Sequence, residues 1–232
     1  MIMDEPKTIS GSYPGYPRQL VSVFGALALP DLWYLGNLDL LGRPGVGFCG
    51  SRNASERGLG VAADCSRQLS QKGIVVVSGY APGVDMASHE SALENGGTTI
   101  VVLAEGMDNF RVKRSIKELW DWERVLVLSQ FPKNAIWRPD RAMERNKIIV
   151  GLSKAVIVLE AREKGGTLNA GFFALEMKKP LFVALYGDMN GAREGNEQLI
   201  REGGMPLRRN RHTQHAELKN VLLAISSRSD TQ

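Results

Sequence analysis

Three short loops carry the residues with which this chain could do chemistry: "GSRNAS" at 50–55, "SGYAPGVD" at 78–85 and "EKGGTLNAG" at 163–171. That chemistry is anion binding. Glycine lets a backbone approach an oxyanion closely, a hydroxyl donates to it, and a guanidinium offers two parallel donors. In the first loop Gly50, Ser51 and Arg52 play these parts. In the second, Ser78, Gly79 and Gly83 permit a tight turn and Asp85 can cap a following helix, while in the third Gly165, Gly166 and Thr167 present amides and a hydroxyl where a helix begins. Glycine and serine at such turns also serve backbone geometry alone. Convergence of all three on one edge favours a phosphate site, and Arg52 is the most telling residue, because a guanidinium directly after a strand contributes little to packing.

The elements that must position these loops are legible as apolar runs punctuated by glycine and alternating with amphipathic stretches, the pattern of buried parallel strands joined by crossover helices. Strands are predicted at 46–50, 74–78, 98–104, 125–129, 155–160 and 181–185. A first helix starts at the N-cap Ser55, carries Leu59, Ala62, Ala63, Ser66 and Leu69 at helical spacing, and stops at Gly73. Further helices are predicted at 84–95, 138–152, 167–178 and 195–202. The fold class is α/β: an extended Rossmann-like, doubly wound, mostly parallel sheet with helices on both faces, whose ligands collect beyond the carboxyl ends of the strands. Residues 1–45 are expected to pack on it as an extension, 46–205 to form the Rossmann-like domain, and 206–232 to form a basic C-terminal segment and a frayed tail, "SSRSDTQ".

Gly45, Gly47 and Gly50 match the dinucleotide pattern G-x-G-x-x-G. They fall before, within and at the end of the predicted strand rather than in the turn after it, and no acidic residue closes the next strand, "IVVVSG", where a ribose would be held. A dinucleotide cofactor is therefore not expected, and no Walker A sequence is present. Between 108 and 154 eleven Lys or Arg face six Asp or Glu. Arg138, Arg141 and Arg145 recur at i, i+3 and i+7, which puts three guanidinium groups on one helical face with Lys147 off the stripe. Trp120, Trp122, Phe131 and Trp137 interleave with these cations and offer surfaces for stacking unpaired bases, although a basic helical face is commonly just solvated.

Composition narrows the class further. A net charge of +4 is compatible with a polyanionic partner without demanding one. Cys49 and Cys65 have neither CxxC nor Cys/His ligand spacing, so no disulfide framework, zinc site or other metal is expected. The start "MIMDEPKTISG" lacks secretory-signal character and no run of 18 apolar residues occurs, which predicts a cytoplasmic protein with no membrane association. No nucleophile and base can be paired: His89, His212 and His215 read as structural or surface groups, and Ser78 with Asp85 is explained as well by capping as by hydrolysis.

Taken in order, "YPRQL", "LWYLGNLDLL", "VGFCGSRNAS", "VVSGYAPGVDMASHESALENGGTTIVVLAEGMD", "ERNKIIVGLSKAVIVLEAREKGGTLNAGFFALE" and "GNEQLIREG" resemble the DNA-processing protein A family, also called Smf, over residues 13–205. The resemblance implies a non-enzymatic, homodimeric protein that binds single-stranded DNA without base specificity and hands it to a RecA-type recombinase in recombination and natural transformation. It implies a phosphate contact at Arg52, a further DNA contact at Arg145, Asn146 and Lys147, and pocket-forming roles for Ser78, Gly79, Gly166 and Thr167. Two departures stand out: Pro82 occupies the place of an arginine, and Ala142-Met143 that of a Phe-Pro pair. The helical and winged-helix domains that often flank the family's core have no counterpart in these residues. Two other readings stay open. The lysine-decarboxylase-like phosphoribohydrolases use P-G-G-x-G-T-x-x-E on a similar sheet, but Ala170 stands where their glutamate is needed. A sensor that binds a nucleotide-derived signal requires the loops alone.

Overall fold

The computed structural model describes residues 5–186, 189 and 192–226; the expected tail beyond Ser226 lies outside them. The elements run β1 (Lys7–Ile9), α1 (Val21–Phe24), β2 (Leu32–Gly36), β3 (Gly45–Gly50), α2 (Glu56–Ser70), β4 (Val75–Ser78), α3 (Val84–Glu94), β5 (Thr99–Val102), β6 (Val125–Ser129), α4 (Pro139–Leu152), β7 (Ala155–Leu159), α5 (Gly166–Glu176), β8 (Leu181–Ala184), α6 (Arg193–Arg201), β9 (Met205–Leu207) and α7 (Lys219–Ser226). The strands form one nine-stranded sheet in the order β1-β2-β6-β5-β4-β3-β7-β8-β9. All neighbours are parallel except β1 with β2 and β2 with β6.

Each predicted strand and helix is present, within a few residues of its expected limits. The central strands are buried on both faces, which is why they read as unbroken apolar runs such as "AVIVL". One face packs α4, α5 and α6 through Ile148, Ile149, Leu168, Ala174 and Leu199. The other packs α2, α3 and α7 through Ala62, Cys65, Leu69, Val84, Val221 and Ile225. The chain ends do more than pack on this sheet: residues 7–36 add β1 and β2 antiparallel along one edge, and β9 extends the other, with α7 packed on a face. No described helix is long and apolar enough to cross a membrane.

The glycines of the dinucleotide-like pattern are spacers. A Cβ on Gly45 would meet Val77 Cγ2 at 2.9 Å, one on Gly47 would meet Ser153 Oγ at 2.7 Å, and one on Gly50 would meet Val84 Cγ2 at 2.3 Å. Gly47 and Gly50 let α4 and α3 sit close against β3 from its two sides and Gly45 makes room for Val77 of β4, packing demands that have nothing to do with pyrophosphate.

The strand order reverses direction at β3. From it the chain moves through β4, β5 and β6 to one side, then crosses back through α4 to β7 on the other. The crevice at the carboxyl ends of β3 and β7 is thus the topological switch point, the place where open α/β sheets hold ligands.

Candidate functional site

At that crevice lies a cleft of about 530 Å³ walled by the loop after β3, the loop after β7 and the N-terminal half of α4. Gly50, Ser51, Arg52, Asn146, Gly165, Gly166 and Thr167 all line it, as does Arg145 at its floor. Residues far apart in sequence are thereby brought to one edge.

The first loop is rigidly tied. Ser51 N–H donates to Leu159 O of β7, its carbonyl accepts from Val84 N–H of α3, and its hydroxyl accepts from Asn53 N–H at 3.1 Å. Arg52 projects from this anchored turn, exposed, with no carboxylate partner among the described residues. Its guanidinium carbon lies 4.7 Å from the ring centroid of Trp137. The third loop ends on Gly165, whose φ of 133° is open to glycine alone, and α5 begins there without a side-chain cap and without an acidic residue in its first turn. Its first N–H groups therefore face the cleft with no protein anion opposite. Asn146 of α4 donates to Gly166 O at 3.2 Å and holds this loop in place.

Glu160 was not among the sequence candidates, yet it organises the site. It leaves β7 in a left-handed conformation, with φ of 54°, and is almost fully buried. Its carboxylate accepts from Ser55 N–H at 2.9 Å, from the Ser55 hydroxyl and from the Tyr186 hydroxyl at 2.7 Å. The N-terminus of α2, where a dinucleotide-binding fold would seat its phosphate, is thus filled by the protein's own anion. Hydrogen bonding to Glu160 and burial together push the Tyr186 hydroxyl well above the usual phenol range, burial being the larger cause. The lone acid after an apolar strand, "AVIVLE", was the available signal.

The second loop lines the cleft only through Ala81 and Asp85, and Ser78, Gly79 and Gly83 shape the floor beneath it. The Ser78 hydroxyl is fully buried, 2.8 Å from Phe48 O and 3.0 Å from Asp85 Oδ1, so it bridges β4 to β3 where their ladder has ended. Gly83, at φ of 81°, lies under the first loop: a Cβ there would meet Ser51 O at 2.3 Å. Gly79 leaves the space that the Arg145 guanidinium fills, since a Cβ would stand 1.5 Å from Nη1. Asp85 accepts from Ser78 and from Ala81 N–H, which commits its carboxylate to the turn.

The expected basic stripe on α4 breaks at Arg145. Arg138 and Arg141 are on the surface side, but Arg145 is only 6% exposed. Its Nη1 donates to Val102 O at 2.9 Å and lies 3.9 Å from Asp85 Oδ2, while its Nε–H has no partner among the described residues. Burial holds the guanidinium pKa below its ordinary value, with the Asp85 carboxylate opposing that shift. Lys147 is exposed on the α5 side, outside the cleft, beside Asn169 and Phe173. Of the aromatic residues proposed to stack bases, Trp120 and Phe131 are buried and Trp122 packs edge-on against Trp120. Trp137 alone of that set stands at the cleft.

Arg162 and Lys164 of the third loop add two exposed cations that the sequence reading passed over. Arg52, Arg145, Arg162 and Lys164 thus face Asp85 and Glu160, and both carboxylates are satisfied internally. The cleft consequently presents net positive potential to whatever enters. The lining lacks histidine among the described residues, and burial pushes the Cys49 thiol up to about 12, so it stays protonated at neutral pH. His89 is buried behind the floor, its Nε2 2.6 Å from Gly79 O and its Nδ1 2.6 Å from the Thr99 hydroxyl. Ala170, where the hydrolase motif needs its glutamate, is buried and brings no carboxylate to the cleft.

Sequence and fold are both similar to those of DNA-processing proteins. The chain is 37% identical over 190 residues to the DNA processing protein DprA of Streptococcus pneumoniae, covering 81% of this chain and 66% of that one. It is 32% identical over 197 residues to the protein Smf of Escherichia coli, covering 82% and 51% respectively. The chain spans about half to two thirds of the length of these curated relatives. The S. pneumoniae DprA crystal structure superposes with a TM-score of 0.78 at 34% identity, over 88% of this chain and 72% of that one. DNA processing protein A of Helicobacter pylori has the same fold, with a TM-score of 0.74 at 23% identity over 97% and 96%. The sequence model of DNA recombination-mediator protein A matches residues 7–217, and the chain belongs to that family.

Proposed function

We propose that this protein binds single-stranded DNA through its backbone phosphates, without base specificity, and acts in recombination by delivering the strand to a RecA-type recombinase. The observation that carries this reading is the cleft at the switch point: unpaired Arg52, Arg162 and Lys164, the uncapped N-terminus of α5, and no free carboxylate among its described lining residues. Such a site holds phosphate by charge and N–H donors, which position a strand and carry no sequence information. The single-stranded DNA binding described for the H. pylori protein supports the choice of ligand. Within this reading the protein is a cytoplasmic homodimer, residues 46–205 are its functional unit, and it mediates rather than catalyses. Gly50, Ser51, Arg52, Gly165, Gly166 and Thr167 hold the phosphate, Asn146 orients the third loop, and Ser78, Gly79, Gly83 and Arg145 build the floor.

An anisotropy titration with a mixed-sequence oligonucleotide tests it. Binding should weaken steeply with salt, and Arg52→Ala should lower affinity about tenfold for every sequence and reduce the salt slope by about 0.7, the value of one released counterion on single-stranded DNA. No binding at low salt by the purified protein refutes the proposal. Base release from a nucleoside monophosphate panel would restore the hydrolase reading, and tight mononucleotide binding without turnover would favour the sensor.

A further inference from the structure

Trp137 differs from the other tryptophans of the chain. Trp120 and Trp122 are interlocked with Phe110, Tyr80 also touches Trp120, and Trp33 packs on the same cluster. Trp137 belongs to none of the hydrophobic clusters and is 43% exposed. An indole kept out of the core forgoes the burial that is its usual contribution to stability, so the fold gains little from having it there.

Its place is nonetheless held. The preceding residue, Ile136, accepts from Arg141 Nη1 at 2.6 Å, and Ala135 before it accepts from Gly106 N–H at 2.7 Å and Asn109 Nδ2 at 2.9 Å. Gly106 lies flat under this segment, since a Cβ would meet Pro132 O and Lys133 O at 2.1 Å. Pro139 starts α4 two residues later and sets the exit direction. The indole is therefore displayed from a fixed support, on the cleft wall that it shares with Ala142 and Met143. Neither neighbour offers a π-face, and Phe48, which also lines the cleft, is fully buried. Trp137 is thus the one exposed aromatic ring among the described cleft residues, with Arg52 over it.

We infer that Trp137 stacks one unpaired base of a strand whose phosphate is held by Arg52 and the third loop. The pair places a phosphate donor and a π-surface side by side, as a nucleotide places its phosphate and base. The inference rests on the nucleic-acid reading above and deepens it: the ligand is a strand with accessible base faces, so the cleft discriminates against duplex DNA, in which neighbouring bases cover those faces. Any aromatic ring can accept any base, so this selectivity needs no base sequence.

The test uses fluorescein-labelled oligothymidine and an oligonucleotide of equal length built of abasic sites, which keeps the phosphates and removes the bases. Base stacking on an aromatic side chain is worth roughly 5- to 150-fold in affinity. The wild-type protein should prefer oligothymidine about tenfold. Trp137→Ala should lose that preference by binding oligothymidine about tenfold more weakly while binding the abasic strand unchanged, and Trp137→Phe should restore most of it. Equal wild-type affinity for both strands overturns this inference and leaves phosphate binding standing. So does a Trp137→Ala variant that weakens both strands alike, because the ring then serves only to support Arg52. Failure of the wild-type protein to bind either strand removes the nucleic-acid reading and this one with it.

Discussion

Replacing Arg145 by methionine separates a buried support from a surface contact. Methionine keeps much of the side-chain volume and removes the charge, so the change tests electrostatics and hydrogen bonding rather than cavity formation. In the folded protein the guanidinium is 6% exposed, donates to Val102 O at 2.9 Å and sits 3.9 Å from the buried Asp85 carboxylate. Removing one member of a buried ion pair costs roughly 3–5 kcal/mol, because the other charge stays behind uncompensated. Here the loss should fall toward the lower end. The 3.9 Å separation is long for a pair, and Asp85 retains its bonds from Ser78 and Ala81. About 2–4 kcal/mol is expected, read as a shift of the urea midpoint followed by circular dichroism at constant slope. Asp85→Asn in the Arg145→Met background should cost less than in the wild type, with a coupling of at least about 1 kcal/mol in the double-mutant cycle. A loss below about 0.5 kcal/mol, the range of ordinary surface substitutions, with a large drop in oligonucleotide affinity would refute the reasoning and restore Arg145 as an exposed contact.

Two further predictions concern the supports of the site. Ser55→Ala should cost about 2–4 kcal/mol, because Ser55 Oγ caps α2 by accepting from Gly58 N–H and also donates to the buried Glu160 carboxylate; a urea midpoint indistinguishable from wild type would show that Glu160 does not depend on it. Burial pushes the pKa of His89 from the usual 6.5 down to about 4. The unfolded chain therefore binds the proton more readily, stability is full above about pH 6.5, and on the order of 3 kcal/mol is lost as pH falls from there toward 4. In His89→Gln the part of the acid-side slope due to this group should vanish, and unfolding curves across that range check it; an unchanged slope would assign the acid sensitivity elsewhere.

Much of the candidate site was readable before any coordinates, and the reason is local. A glycine-flanked apolar run can be little other than a buried strand, and the turn after it lies at the sheet edge whatever the rest of the chain does. That logic put Gly50, Ser51, Arg52, Gly165, Gly166 and Thr167 at one sheet edge, where all six line a single cleft. It also showed that the dinucleotide-like glycines begin too early, although their role as spacers required the packed neighbours. Residues 7–36 gave no such signal: β2 pairs with β6 about ninety positions along the chain, and a strand this short acquires its identity from the edge it joins.

What the sequence determined by itself, then, is the order of the strands and helices between residues 46 and 202, the turns between them and the residue types those turns carry, because backbone propensity and hydrophobic period are properties of neighbours in the chain. What only the tertiary structure decided is the environment of each side chain. Helical spacing aligned Arg145 with Arg138 and Arg141, but the missing side chain of Gly79, on another strand's loop, opened the space into which Arg145 turns. Glu160 drew no reading as the last residue of a strand, yet its carboxylate holds the N-cap Ser55 of a helix that starts about a hundred residues earlier. Trp120, Trp122 and Trp137 were equivalent in sequence, and burial separated them. Burial, pairing and partial charge depend on atoms brought together from distant segments, and no window of sequence contains them.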